Sequence, residues 1–235
     1  MLIKGINLGS GKSWSSPGWI GLDELNSNYL DENSILPFSD NSVENAYSCH
    51  FFEHVSDKTS NNLFNEVHRI LKPGGCFRIV VPDFKLLHEE CLKSGTKIFK
   101  KAGFTGRPEW KENGIKYNAA NCLFHYIANY DKGEEGAPGF YRGPPKISKD
   151  EASKIINLNT DDLCNYLYER IPTGKDIKTQ HINFWYTEKF STMFKKYSGF
   201  KKSSHMNSSI PEITCGHFDN WKDRSKISLY VEGVK

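Results

Sequence analysis

Short apolar runs alternate with polar turns through residues 1–90. Met1–Leu8 is an apolar run closing on Gly9-Ser10-Gly11, and a run this short bounded by glycines predicts a buried strand feeding a tight turn. Trp19–Leu22 predicts a second strand, ending at Asp23. After a polar loop, Ile35-Leu36-Pro37-Phe38 leads into the turn Ser39-Asp40-Asn41-Ser42. Val43–Cys49 is a third strand-like run, followed by a polar cluster from His50 to His54. Over 57–72, Leu63, Phe64, Val67, Ile70 and Leu71 recur at helical spacing and make one apolar face. Lys72-Pro73-Gly74-Gly75 stops that helix, because proline bars the helical conformation at the residue before it and glycine permits the turn. Cys76–Val81 is then a strand, closed by Pro82-Asp83. Asp83 can cap a helix in which Phe84, Leu87, His88 and Cys91 share a face.

Strands alternating with helices at this spacing predict an α/β fold with a parallel sheet and right-handed crossovers. In such sheets a ligand sits outside the carboxyl ends of the strands, where the strand order reverses. That rim collects Gly9–Gly11, Asp23, Cys49–His54 and Asp83. Residues 95–180 have another texture, rich in Gly, Pro, Lys and aromatics, with broken helical patterns at 149–158 and 160–171. So long an excursion within a single domain spanning 1–235 is expected to be a substrate-binding insertion or lid. Helical spacing returns with Thr187 as the expected N-cap, followed by Phe190, Met193, Phe194 and Tyr197 before Gly199. Phe200–His205 and Ile227–Val234 predict two closing strands in a hairpin. The sequence has no internal repeat.

Composition narrows the function classes. Lys+Arg 31 against Asp+Glu 28 leaves a formal charge of +3, too small to point to nucleic acid or a membrane surface. No run of 18 apolar residues predicts a spanning helix, and the N-terminus lacks the charged lead and apolar stretch of a secretory signal. The six cysteines contain no CxxC pair, and several lie in apolar segments, where a thiol behaves as a small hydrophobe. The expectation is a reduced, cytoplasmic protein without a disulfide framework and without a metal site.

Gly9-Ser10-Gly11 after a strand lets a ligand approach the backbone closely. Alone it also fits an ordinary strand-to-loop turn. Asp23, at the end of the next strand, sharpens the reading, since a carboxylate there can accept hydrogen bonds from both hydroxyls of a ribose. The third glycine of the dinucleotide fingerprint is absent, Lys12 and Ser13 following instead. So is a long helix aimed at a pyrophosphate. A nucleoside without phosphates fits better than NAD.

Taken in order, these segments resemble one family. Ile6-Asn7-Leu8-Gly9-Ser10-Gly11 and Pro17-Gly18-Trp19-Ile20-Gly21-Leu22-Asp23 resemble the opening of small class I S-adenosylmethionine-dependent methyltransferases. Leu36-Pro37-Phe38-Ser39-Asp40-Asn41-Ser42-Val43 is similar to that family's segment before its fourth strand, and Phe52-Glu53-His54-Val55 to its Leu-Glu-His signature. Glu66-Val67-His68-Arg69-Ile70-Leu71-Lys72-Pro73-Gly74-Gly75 resembles its turn before the fifth strand. The ending Ser228-Leu229-Tyr230-Val231-Glu232 resembles a subgroup associated with surface-glycan biosynthesis. The likeness covers residues 1–90 closely and 181–235 loosely; 95–180 resembles nothing identifiable.

The resemblance implies a doubly wound, Rossmann-like seven-stranded sheet with its last strand antiparallel and an insertion after the fifth strand. It implies S-adenosylmethionine as cofactor, with S-adenosylhomocysteine as product. The cofactor would lie across Gly9, Ser10 and Gly11, with Asp23 on the ribose and Asp31 on the adenine. Asn7, Leu36 and Cys49 complete the expected cofactor set. Two departures stand out: Asn7 occupies the position of the family's usual acidic residue, and the connection from Gly11 to Asp23 is short, reducing the first helix to a turn containing Trp14.

Methyl transfer from a sulfonium is an in-line displacement in which the protein supplies positioning and, for a hydroxyl acceptor, a base. Histidine titrates near neutrality, so His50 and His54 are candidate bases. His54 has the alternative of organising its loop by hydrogen bonds. Asp83 is a candidate for binding substrate hydroxyls or orienting a histidine, with a helix N-cap as its other reading. His181, in Gln180-His181-Ile182-Asn183-Phe184-Trp185, resembles a histidine bordering the substrate pocket in similar enzymes. His125 with Tyr126, and Tyr141 with Arg142, can line a pocket in the insertion, where Arg142 would suit a substrate phosphate.

The expected acceptor is a small polar molecule: a sugar, a nucleotide-sugar or a phosphorylated surface-glycan precursor such as one for capsule or lipopolysaccharide. Methylation of nucleic acid or protein is the alternative enzyme reading. Against it stand the missing basic stripe and the missing Asn/Asp-Pro-Pro-Tyr segment. A non-catalytic S-adenosylmethionine-binding module is the reading from another class.

Overall fold

The structure is a computed structural model that describes residues 3–12, 14–23, 30–95, 97–102, 123–124, 149–170, 181–204, 208–214 and 224–235. His125, Tyr126, Tyr141, Arg142 and His205 lie outside the described residues. The chain divides into two compact units. One comprises Met1–Val81, Thr187–Lys222 and Leu229–Lys235, the other Pro82–Tyr186 and Asp223–Ser228.

Six strands form one mixed sheet among the described residues: β1 (Gly5–Leu8), β2 (Trp19–Leu22), β3 (Val43–Cys49), β4 (Leu71–Pro82), β5 (Ser198–Lys202) and β6 (Ser228–Val234), in the spatial order β2-β1-β3-β4-β6-β5. β1 runs parallel to β2 and to β3, and β3 runs parallel to β4. β5 and β6 are antiparallel, the expected closing hairpin. Strands 1–4 thus end on one rim. All four residues of β1 are buried, which is why the sequence shows a continuous apolar run rather than alternation.

The 57–72 pattern forms α1 (Asp57–Ile70). Ser56 caps it, its Oγ accepting from the Thr59 N–H at 3.1 Å. The helix ends two residues earlier than the periodicity suggests, and β4 starts at once at Leu71 rather than at Cys76. Pairing explains the difference. Val43 faces Leu71 but Asn45 faces Cys76, so Lys72–Gly75 bulges out of a continuous strand. Gly74, at φ +80°, supplies the conformation that this excursion requires.

In the first unit the two faces of the sheet differ. Phe77 on β4 packs with Phe64 of α1 and Phe194, whose ring centroids lie 6.0 and 5.8 Å away. α6 (Thr187–Met193) adds Phe190, and Thr187 is its first residue rather than its cap. On the opposite parity, Cys76 and Val80 join Tyr47, Tyr230, Trp19, Ile210 and Ile213. Burial pushes the Cys76 thiol up to about 12. Arg78, of the same parity, is fully buried with Glu232, Nη1 to Oε1 2.8 Å. It also donates to Ser203 Oγ at 3.0 Å and to the Ser204 carbonyl at 2.9 Å. Burial alone would raise the Glu232 pKa, but hydrogen bonds from Ser209 and Arg78 hold it below the usual carboxylate value.

Residues 30–42, read as a polar loop leading through Ile35–Phe38 into a turn, form no helix or strand. Glu66 Oε2 accepts from Leu36 N–H at 2.8 Å, and the Arg69 guanidinium donates to the Leu36 and Phe38 carbonyls and to Asp40. Arg69 also donates twice to Glu66. The hydrogen bond to Arg69 holds the Glu66 pKa below its ordinary value.

The second unit holds α2 (Phe84–Ser94), α3 (Lys97–Lys101), α4 (Lys149–Ile155) and α5 (Thr160–Tyr168). Their core joins Leu87, Phe99, Phe124, Leu163, Leu167 and Phe184. His88 is buried here. Its Nε2 donates to the Ile156 carbonyl at 2.8 Å, so its Nδ1 accepts from Thr160 at 3.1 Å.

Two stability effects follow. Glu232→Gln leaves the buried Arg78 charge uncompensated and should cost roughly 3–5 kcal/mol, read as a lower urea midpoint at unchanged slope; a change below about 1 kcal/mol would contradict the pairing. Glu66 has a depressed folded pKa, so its contribution is present above its ordinary value of 4.5 and is lost as the pH falls through the depressed value. Glu66→Gln should therefore lower stability at neutral pH and flatten its fall in acid.

Candidate active site

The glycine turn sits at the mouth of three parallel strands. Leu8 faces Leu22 of β2 and Ser48 of β3, and Ser48 Oγ donates to the Leu8 carbonyl at 3.0 Å. The pairing with β2 continues past the strand end, where Gly9 N–H donates to the Leu22 carbonyl at 2.8 Å. Gly9 and Gly11 have φ of +71° and +75°. A Cβ on Gly9 would stand 2.4 Å from the Phe51 side chain, while one on Gly11 would meet nothing within 4 Å. Glycine is thus required at 9 both for its conformation and for the close approach of an aromatic ring. Ser10 Oγ lies over Gly21, where Trp14 also packs. Between β1 and β2 the described residues hold no helix.

Gly11 N–H donates to Asp23 Oδ2 at 2.9 Å, which ties the glycine turn to the carboxylate at the end of β2. Asn7 is buried, and its Oδ1 has no hydrogen-bond partner among the described residues. A buried acceptor left unsatisfied is costly unless a ligand supplies a donor. A turn open at Gly11, a half-buried carboxylate beside it and an orphaned acceptor fit a nucleoside that carries an ammonium group.

Asp31 is placed differently. Its Oδ1 accepts from Asn33 N–H and Ser34 Oγ, closing a local turn, and Asn62 of α1 donates to its carbonyl at 3.2 Å. Leu36 is buried in the loop held by Glu66 and Arg69. Cys49 ends β3, half-buried against the Trp19–Tyr47 side of the sheet.

His50 follows directly, at φ +52°, a left-handed conformation that is strained for a residue with a Cβ. Its N–H donates to the Val80 carbonyl at 2.8 Å. Its Nδ1 lies 2.8 Å from Glu53 Oε1, with side-chain exposures of 8% and 2%. Glu53 and His54 belong to a short 3₁₀ turn, Phe52–His54, in which His54 N–H donates to the Phe51 carbonyl at 2.9 Å. Sequence reasoning missed two residues here. Glu53 stands in the sequence as part of a signature, yet an acid three positions after a histidine signals a pair. Phe51 gave no signal of its contact with Gly9.

Asp83 and His181 belong to the second unit. Asp83 is buried and caps α2, its Oδ1 accepting from Leu86 N–H at 3.1 Å, while its own N–H donates to the Ile227 carbonyl. His181 is half-buried at the start of a segment without helix or strand that runs up to α6. Two residues on, Asn183 Oδ1 accepts from the Tyr168 hydroxyl at 3.0 Å. The first unit therefore brings together Asn7, Gly9, Ser10, Gly11, Asp23, Cys49 and His50 along three adjacent strand ends.

Residues 23–79 match a family model described as a methyltransferase domain. No curated protein matches the chain. Among solved structures, an S-adenosylmethionine-dependent methyltransferase from Mesorhizobium loti is 16% identical, with 100% of this chain and 91% of that chain covered and a TM-score of 0.42. A possible histamine N-methyltransferase from Thermotoga maritima is 14% identical, at 99% and 82% coverage and TM-score 0.40. A methyltransferase in complex with the Haloferax volcanii Trm112 activator is 12% identical, at 99% and 82% coverage and TM-score 0.38. The weight falls on the matched segment, which opens on Asp23 and contains the loop, the Phe51–His54 turn and α1. That segment is similar to a methyltransferase domain over about a quarter of the chain.

The strain at His50 has a direct test. His50→Gly should be more stable than His50→Ala by about 1 kcal/mol, because only glycine adopts this conformation without penalty. Equal thermal midpoints for the two variants would show that the left-handed backbone is not held in solution.

Proposed function

We propose that this chain is an S-adenosylmethionine-dependent methyltransferase that O-methylates a small polar acceptor, a sugar, nucleotide-sugar or phosphorylated surface-glycan precursor, with His50 as general base. The observation that carries the reading is the hydrogen bond between Gly11 and Asp23, with His50 leaving the neighbouring strand end. The cofactor supplies an activated methyl group; every other part of the task falls to the chain.

Gly9–Gly11 gives the cofactor close access to backbone, Asp23 accepts from its ribose hydroxyls, and Asn7 Oδ1 accepts from its ammonium group. Cys49 adds a contact from the neighbouring strand end, and the loop with Asp31 and Leu36 is assigned to the adenine side. Orientation of acceptor and donor contributes on the order of 7–11 kcal/mol. For a hydroxyl acceptor a general base adds about 10²–10⁴-fold. His50 takes the proton at Nε2, and His54 borders the acceptor. The glycan class is supported by the resemblance of Ser228–Glu232. A seven-stranded plan would take one strand beyond the six described, and the tract 95–180 is assigned the choice of acceptor. The enzyme works in the cytoplasm.

S-adenosylhomocysteine at about 100 times its Kd should raise the thermal midpoint by roughly 5–10 °C, and NAD should not. Asp23→Ala should remove that shift without unfolding the chain. On a panel of sugars, nucleotide-sugars, RNA and protein acceptors, release of S-adenosylhomocysteine should appear with the sugars, and His50→Gln should reduce it by about 10²-fold or more. Turnover confined to RNA or protein would replace the acceptor assigned here. Binding without turnover on any acceptor would make the chain a binding module.

A further inference from the structure

We propose that Glu53 is the positioning residue for His50, holding its imidazole in the tautomer whose lone pair lies on Nε2. The inference rests on the reading of His50 as the acceptor's base. Its geometry is independent of that reading.

Glu53 Oε1 lies 2.8 Å from His50 Nδ1, and the carboxyl side chain is only 2% exposed. An ionised carboxylate accepts and cannot donate, so Nδ1 must carry the shared proton. In the neutral ring this puts the acceptor lone pair on Nε2. When the ring gains a second proton, the carboxylate at hydrogen-bond distance is its counter-charge.

The backbone holds this pair from both sides. The left-handed turn at His50 takes the chain out of β3, while its N–H stays on the Val80 carbonyl. Phe51 packs over Gly9, so the cofactor turn and the histidine loop share a wall. Phe52 is fully buried, with ring centroids 5.0 Å from Phe64 and 6.1 Å from Phe77. Glu53 follows that anchor directly. A strained backbone residue followed directly by two packed aromatic side chains is the kind of site where orientation is fixed at some cost in stability.

The transfer balances on these groups. The acceptor hydroxyl proton passes to Nε2 as its oxygen bonds the methyl carbon, and the carbon–sulfur electron pair returns to sulfur. The positive charge leaves the sulfonium and appears on the imidazolium, against Glu53. Solvent then takes the proton.

Nitrogen NMR of the full chain with ¹⁵N-labelled histidine tests the assignment, with His50 identified by its loss in His50→Gln. The neutral ring should be protonated at Nδ1 and unprotonated at Nε2. Glu53→Gln should lose that preference while S-adenosylhomocysteine binds within about twofold of wild type, and Glu53→Asp should restore part of it. With an acceptor from the panel, Glu53→Gln should lower kcat by at least about 10²-fold and leave KM within a few-fold. A wild-type ring protonated at Nε2 overturns the proposal, as does a Glu53→Gln protein with unchanged tautomer and kcat. If Glu53→Gln does not fold, the wild-type spectrum alone decides. Failure of the wild type to bind S-adenosylhomocysteine would instead sink the cofactor assignment.

Discussion

The hydrogen bond from Gly11 N–H to the Asp23 carboxylate closes the gap between two adjacent parallel strands. It requires that β1 and β2 pair in one register, Leu8 against Leu22, because a slip of one residue would turn Asp23 away from the glycine bend. β3 is locked to the same register from the other side through Ser48 and the Leu8 carbonyl. Three strand ends are thereby fixed relative to one another by backbone ladders. The side chains they carry inherit that precision at little further cost in entropy.

A second constraint acts through α1. Arg69 and Glu66 lie one helical turn apart and together satisfy backbone groups at Leu36 and Phe38, which have no ladder of their own. Backbone polar groups left unpaired in a half-buried loop would be costly, and the pair removes that cost while holding the loop against α1. The same helix contributes Phe64 to the aromatic cluster on one face of the sheet. One element therefore packs the core and holds the loop before β3. Arg78 and Glu232 do comparable work on the other face. There a charged pair, fully buried, ties β4 to β6 and to the Ser203–Ser209 segment.

Much of this was legible in the residues. The parallel strands, α1, the cap at Asp83 and the closing hairpin all follow from apolar spacing and turn chemistry, because burial acts on every residue of a strand or a helix face and leaves a periodic trace. The bulge at Lys72–Gly75 was not legible. Proline and glycines mark a break equally well when a helix ends and when a strand detours, and only the pairing of Val43 and Asn45 distinguishes the two. Nor was the role of Glu66 and Arg69, since the carbonyls they bind lie some thirty residues away and carry no side-chain signal.

By itself the sequence determined the element order, the glycine bend and the carboxylate that follows it, because each depends on local conformational preference and on burial. The tertiary structure decided which side chains meet. Glu53 reaches His50 because the chain reverses at a left-handed residue, and Phe51 covers Gly9 because β1 and β3 are neighbours in the sheet. Contacts of that kind depend on strand register and on one unusual backbone angle, and neither leaves a pattern in the order of residues.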